Sequence, residues 1–280
     1  MRQVPFPTQK RLSNVHDFGR MKKDNIKISM ISAYDYWSAK ILSQSEIDCI
    51  LVGDSAVMTM HGHSTPIPAS MELMLPHVAA VAKGAPEKFI IGDMPFCSYR
   101  KGLEPTMNAI DSMMKAGSHA IKLEGAGDNI PTIQHIVQSG VPVMGHLGLT
   151  GQSVHMLGGF RVQGKNKKTA QLVMDQAKAL QDAGCFSLVL ECIPYLLAKE
   201  ITDALEIPTI GIGAGPHTSG QVLVFQDMLG CFPDLSPKFL KTYLNGFELI
   251  QKALNQFNEE VKSEAFPEIE KHTYQSEVAT

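Results

Sequence analysis

No stretch of this 280-residue sequence approaches the roughly 18 consecutive apolar residues that a membrane span requires. The first twenty residues, Met1 to Arg20, are polar and lack the apolar core of a secretion signal. A cytoplasmic protein without a membrane partner is expected. The five cysteines, Cys49, Cys97, Cys185, Cys192 and Cys231, are odd in number, widely spaced and free of any Cys-x-x-Cys pair. That excludes a disulfide framework and a cysteine zinc site, and points to reduced thiols. With a formal charge of -3 and no run of like charges, the chain has no basic stripe for nucleic acid. A small-molecule partner is left. No Gly, Ser or Pro tract resembles a linker and no repeat of fixed period appears, so one domain over residues 1–280 is expected.

What is present fits one large core. Hydrophobic residues make up 44% and charged residues 19% of the chain, and its length is near the ~250 residues of an eight-stranded α/β barrel. Short apolar, β-branched runs alternate with helical patterns, which is how βα units around a parallel sheet read. Strands are expected at 28–33, 49–52, 89–92, 120–123, 141–146, 187–191, 209–212 and 225–229. Helices are expected at 37–44, 71–83, 105–116, 168–183, 194–205 and 237–260, several opening on proline and two ending on Ala-Gly. The fold class is α/β, a (β/α)8 TIM barrel with its core at about 26–262, a helical leader near 14–23 and a C-terminal helix. The eighth strand is what separates the barrel from a doubly wound open sheet, and residues 221–225 read equally as the end of a short helix, so the open sheet is the structural alternative.

Four acids share one address, just past the strands: Asp54 and Asp93 in Gly-Asp contexts, Glu124, and Glu191. In a parallel barrel those strand ends form one face, and catalytic residues sit there. Any one of these acids alone reads about equally well as a helix cap, but four equivalent placements weaken that reading. Their mutual repulsion calls for a cation or shared protons, and so for a hard divalent metal with one acid left for proton transfer. Lys122 and Glu124 are two apart and would face the same side of an extended strand. Magnesium suits this set, because it takes one or two carboxylates plus waters and substrate oxygens, and it would polarise a 2-oxo acid. Glu191 is the spare base, with Leu190, Cys192 and Ile193 as an apolar wall.

Two connections are long, 55–69 and 147–167, and loops of that length in a compact domain usually bind or cover a site. His146, at a strand end, reads as a hydrogen-bonding pocket residue, and His61 and His63 as loop residues. The run Gly211 to Gly215 lacks the lysine and hydroxyl of a phosphate loop and reads as a tight strand-to-helix turn. The methionines, among them Met58, Met60, Met71 and Met74, read as core filler.

In order along the chain stand Ser32-Ala33-Tyr34-Asp35, Leu51-Val52-Gly53-Asp54-Ser55, Gly92-Asp93-Met94-Pro95-Phe96 and Ile121-Lys122-Leu123-Glu124-Gly125. Gly145-His146-Leu147-Gly148-Leu149-Thr150, Gln152-Ser153, the run Gly158 to Gly164, Leu190-Glu191-Cys192-Ile193-Pro194 and the run Ile210 to Gly215 follow. This ordered set, from about residue 14 to about 265, resembles the ketopantoate hydroxymethyltransferase family. The resemblance implies a magnesium-dependent (β/α)8 enzyme that uses 5,10-methylenetetrahydrofolate as co-substrate and 3-methyl-2-oxobutanoate as acceptor. The product would be 2-dehydropantoate, made through a magnesium-stabilised enolate on the way to pantothenate and coenzyme A. By position it implies Asp54, Asp93 and Glu124 at the metal, Asp54, Ser55, Asp93 and Lys122 at the oxo acid, and Glu191 as proton acceptor. It further implies a cytoplasmic homo-oligomer, often a decamer. Two departures lie in the first long loop, Val57 and the run Gly62-His63-Ser64-Thr65-Pro66. The alternatives are a related magnesium-dependent 2-oxo acid carbon-carbon lyase, whose Lys-Lys-Cys-Gly-like loop is absent here, and an inactive barrel scaffold.

Overall fold

Period-two alternation along eight short strands shapes the molecule. In the computed structural model, which describes residues 12–274, the strands are β1 (Ile28–Ser32), β2 (Cys49–Val52), β3 (Phe89–Asp93) and β4 (Ala120–Glu124), then β5 (Val143–Gly148), β6 (Ser187–Glu191), β7 (Thr209–Ile212) and β8 (Gly220–Val224). Each pairs in parallel with the next, and β8 returns to β1 to close the barrel, Ile28 to Ser32 lying opposite Gly220 to Val224. This is the (β/α)8 barrel, and the closing pair excludes an open sheet. The helices are α1 (Val15–Lys23), α2 (Tyr36–Ser43), α3 (Ala56–Thr59), α4 (Met71–Gly84), α5 (Leu103–Lys115) and α6 (Ile130–Gln138), then α7 (Lys167–Asp182), α8 (Tyr195–Ala204), α9 (Phe225–Met228), α10 (Gly246–Lys262) and α11 (Ile269–His272). Among the described residues none is long and apolar enough to cross a membrane.

One parity of each strand builds the barrel interior. Met30, Leu51, Phe89, Ile91, Ala120, Met144, Val189, Ile210 and Val222 form a single buried cluster with Phe18 and Met21 of α1. Phe18 stands edge-on to Phe89 and Phe186, with ring centroids 5.4 and 5.0 Å away, and so closes the amino end of the barrel. Going up the same parity, Ile91 is followed by Asp93, Ala120 by Lys122 and Glu124, Met144 by His146, and Val189 by Glu191. The inward face therefore turns from apolar to charged toward the carboxyl ends of the strands. The other parity, including Ile50, Ile90, Ile121, Leu123, Leu188 and Leu190, is buried too, as both faces of a helix-covered parallel sheet must be.

The helix that closes the barrel floor has a built-in charge lock. Asn14 Oδ1 accepts the His16 and Asp17 N–H groups at 2.9 and 3.3 Å. Asp17 Oδ2 accepts Ser13 N, Ser13 Oγ and Asn14 N at 2.8, 2.9 and 3.2 Å, and its other oxygen pairs with Arg20. Burial opposes the charge, but the Ser13 hydrogen bonds and Arg20 outweigh it and hold the carboxyl at about 2. A folded value below the unfolded one means that the ionised acid stabilises the fold above about pH 4, and that this support fades as pH falls toward 2. Asp17→Ala is expected to cost about 1–2 kcal/mol at neutral pH in urea denaturation, with a gap that narrows below about pH 4. A gap independent of pH would show that charge is not what holds this cap.

Several expected boundaries move. The eighth strand is Gly220–Val224, and Phe225–Met228, expected as strand, is helical. Gly220 lies so close to Ile28 that a Cβ would strike the Ile28 carbonyl, so this glycine is where the last strand can seat against the first. The glycine turn after β7 leads straight into β8 with no helix between, contrary to the strand-to-helix expectation. β5 starts at Val143 rather than 141, and α6 and α3 were not expected. The C-terminal helix starts at Gly246 rather than 237, and the barrel strands end at Val224, short of 262. The chain divides into two compact units, Met1–Phe225 and Gln226–Thr280. In the second, Tyr243 N–H reaches Met228 O at 2.7 Å, and Phe266 packs on Phe257 with centroids 5.7 Å apart. The expected helical leader near 14–23 is α1, while residues 1–11 of the polar N-terminal stretch lie outside the described residues.

Candidate active site

Strand register brings the sequence-predicted residues together in pairs. Asp93 on β3 lies opposite Lys122 on β4, and Glu124 on β4 lies opposite His146 on β5. Asp54 follows β2, whose last residue Val52 is opposite Gly92, and Glu191 ends β6 opposite Gly148. All sit at the charged end of the barrel interior. Asp54, Asp93, Lys122, Glu124 and His146 are buried, while the Glu191 side chain keeps 26% of its surface exposed.

The β2 and β3 ends form one acid pair. Asp93 Oδ2 accepts the Asp54 N–H at 3.1 Å, and Asp93 Oδ1 stands 2.7 Å from Lys122 Nζ. Burial pulls the Lys122 ammonium down, but Asp93, Glu124 and Asp54 outweigh it and hold it above its usual range. Asp54 is less well served. Its Oδ2 accepts from Gln152 Nε2 at 2.8 Å, and no ion pair is formed with it among the described residues. Burial, then the charges of Asp93 and Glu124, push its carboxyl well above the usual carboxylate range. Ser55, next in sequence, has its hydroxyl 2.7 Å from Tyr34 Oη.

The β4, β5 and β6 ends form a second chain of contacts. His146 Nδ1 lies 3.1 Å from Glu124 Oε1, and His146 Nε2 lies 3.1 Å from Glu191 Oε2. Lys122 Nζ is 3.4 Å from the same Nδ1, but a cation offers that nitrogen no acceptor, so the Glu124 contact carries the Nδ1 proton. Burial and Lys122 act against the imidazolium; Glu124 and Glu191 prevail and raise His146 to about 9. Glu124 responds in the opposite sense: burial would raise it, but His146, Lys122 and the Gln152 N–H lower it. Its own carbonyl accepts from Asn129 Nδ2 at 3.0 Å and Arg100 Nη2 at 3.3 Å, which fixes the end of β4. Gly148 at the end of β5 has φ +96°, and a Cβ there would strike the Glu191 carbonyl, so glycine allows the ends of β5 and β6 to approach.

The three acids expected around a metal therefore separate into a pair and a third. Among the described residues no group of three or more His, Cys, Asp or Glu side chains is spaced to hold a metal ion. Asp54 and Asp93 nonetheless suit a hard divalent cation, because magnesium needs only one or two carboxylates. The cluster also needs charge: Asp54, Asp93, Glu124 and Glu191 face one lysine and one histidine. Glu124 has both oxygens engaged, one by His146 and the other by Gln152 N at 3.0 Å.

His61 lies in the first long connection, as expected, with its Nε2 3.1 Å from His77 Nε2. Of the methionines named above as core filler, Met74 is fully buried, but Met60 is exposed. Tyr34, Tyr99 and Gln152 are site neighbours that sequence reasoning gave no role, although Tyr34 and Gln152 stand within the quoted motifs. A hydroxyl or amide carries no charge pattern, so their only signal is adjacency to the acids.

A family model described as ketopantoate hydroxymethyltransferase matches residues 13–269. A protein of Coxiella burnetii named 3-methyl-2-oxobutanoate hydroxymethyltransferase is 61% identical over 262 residues, covering 93% of this chain and 98% of its own. One of the same name from Bdellovibrio bacteriovorus is 57% identical over 263 residues, covering 94% and 100%. Among solved structures, a phosphonopyruvate hydrolase complex with oxalate and magnesium matches with TM-score 0.60 at 10% identity, over 94% of this chain and 92% of that one. A 2,3-dimethylmalate lyase of the PEP mutase/isocitrate lyase superfamily matches with TM-score 0.57 at 13% identity, over 93% and 91%. These two likenesses concern the fold alone.

Proposed function

The chain belongs to the ketopantoate hydroxymethyltransferase family, and from that membership and the acid cluster we propose that it transfers a hydroxymethyl group to 3-methyl-2-oxobutanoate, giving 2-dehydropantoate for pantothenate synthesis. The one-carbon donor is 5,10-methylenetetrahydrofolate and the metal is magnesium. The observation that carries this reading is the convergence of Asp54, Asp93 and Lys122 on one side of the barrel mouth, with Glu191 linked to the other side through His146.

Asp54 and Asp93 would hold the metal, with Glu124 lending its charge from the neighbouring strand. Bound there, magnesium supplies Lewis-acid stabilisation for negative charge on the oxygens of a 2-oxo acid. Lys122, anchored on Asp93, and Ser55, aimed by Tyr34, bind the substrate's oxygens. Glu191 accepts the proton from the carbon bearing the two methyl groups, and His146 orients its carboxylate from 3.1 Å. The enolate left on the substrate attacks the folate-borne methylene carbon, water supplies the hydroxyl oxygen, and tetrahydrofolate leaves. The partly exposed setting of Glu191 lets it exchange its proton with solvent between turnovers. Assembly into a homo-oligomer and a cytoplasmic location go with the same reading.

An assay of 3-methyl-2-oxobutanoate consumption with methylenetetrahydrofolate tests it. Consumption is expected to need both the folate and magnesium, and to stop on chelation. Protons compete with the metal for Asp54, so magnesium affinity is expected to rise with pH. Turnover unchanged without folate, or unchanged by a chelator, would overturn the assignment.

A further inference from the structure

Gln152 sits in the single 3-10 turn Gly151–Ser153 after β5, within the second long connection, and it is buried. It makes four hydrogen bonds. Its Nε2 donates to Asp54 Oδ2 at 2.8 Å and to Met94 O at 2.9 Å. Its Oε1 accepts the Tyr99 hydroxyl at 2.8 Å, and its main-chain N–H donates to Glu124 Oε2 at 3.0 Å. We infer that Gln152 is a positioning residue, whose side chain and main chain together set the spacing between the carboxylate after β2 and the carboxylate ending β4. The inference rests on the function proposed above.

The orientation of the amide is determined by its neighbours. Flipped, its oxygen would face the Asp54 carboxylate and the Met94 carbonyl, placing two acceptors against an acceptor. The single Tyr99 hydroxyl proton goes to Gln152 Oε1, the nearer acceptor, since the Glu124 carbonyl at 3.2 Å is already served by Asn129 and Arg100. Tyr99 Oη then accepts the Glu124 N–H at 3.3 Å, which ties the same tyrosine back to β4. A buried amide in a packed core need only satisfy its own polar atoms. Two of the four bonds, however, go to carboxylates from different strands, which is what a spacer does and a self-satisfied amide need not do. A neutral donor has a further property: it aims Asp54 without supplying a countercharge, whereas a lysine there would compete with a bound cation.

Magnesium titration by calorimetry, with 3-methyl-2-oxobutanoate present, is the test. Gln152→Met keeps the length and removes the side-chain bonds, and its magnesium affinity is expected to fall roughly 10- to 100-fold, the usual loss when a residue supporting metal ligands is removed. Its kcat is expected to fall with it, while KM for the folate stays unchanged. Gln152→Glu separates position from charge: added negative charge alone would tighten magnesium, whereas a displaced Asp54 weakens it. Weakening in both variants is the expected result. Should Gln152→Met fail to fold, Tyr99→Phe, which removes only the hydroxyl, is expected to weaken magnesium in the same direction by a smaller factor. Wild-type affinity in Gln152→Met, or tighter binding in Gln152→Glu, overturns the inference. So does equal weakening in Thr202→Val, which breaks a buried 2.6 Å hydroxyl pair with Thr209 away from the acids. A wild-type protein that binds no magnesium would overturn the proposed function itself, which distinguishes the two failures.

Discussion

Asp93→Ala is expected to abolish magnesium-dependent turnover and to destabilise the fold by about 3–5 kcal/mol, the usual cost of leaving one member of a buried ion pair alone. Asp93 does two jobs at once, holding Lys122 Nζ at 2.7 Å and accepting the Asp54 N–H at 3.1 Å. Removing it strands a buried ammonium and frees the backbone that sets Asp54. The two losses can be separated. Lys122→Met placed on top of Asp93→Ala removes the stranded charge, so the double variant is expected to regain much of the lost stability in urea denaturation while magnesium binding stays lost. If the double variant recovers magnesium affinity measured by calorimetry, Asp93 is not a ligand. If Asp93→Ala alone is as stable as the parent, the Asp93–Lys122 pair is not the internal support that its burial indicates.

Glu191→Gln is expected to slow solvent deuterium exchange at the carbon bearing the two methyl groups by about 10²- to 10⁴-fold, the range general base catalysis contributes. Exchange reads the proton removal alone, before any folate is involved. The variant is informative because glutamine can still present an oxygen to His146 Nε2, so the 3.1 Å contact and the ring orientation persist while the base is removed. Folding stability is therefore expected to change little. Unimpaired exchange in Glu191→Gln would show that another group takes the proton. His146 itself is a poor substitute, since its pairing with Glu124 persists in the variant and favours the protonated ring.

The parts of the fold that were legible share one physical origin. Apolar runs at βα spacing, most of them buried on both faces, leave the chain few arrangements other than a helix-covered parallel sheet. The leader helix, five of the six further helices and seven of the strands accordingly fall near where hydrophobic pattern placed them. The eighth strand was displaced because Gln221 and Leu223–Val224 carry no clean period, and its position is set by the seating of Gly220 against Ile28. The C-terminal helix begins later than Pro237, whose resemblance to a helix opening is overridden because the chain is irregular until Asn245.

The amino-acid sequence by itself determined which acids share the mouth of the barrel. Asp54, Asp93, Glu124 and Glu191 all follow β-runs, and strand ends in a parallel barrel have only one face to occupy. The Lys122 and Glu124 pairing was equally determined, because a period of two puts both on the interior side of β4. Only the tertiary structure decided who touches whom. Strand register set Asp93 on Lys122 and Glu124 on His146, and loop closure carried Gln152 98 residues along the chain to Asp54. Such contacts join residues far apart in the chain, and the energy that selects them belongs to the closed barrel as a whole, so no local pattern records it.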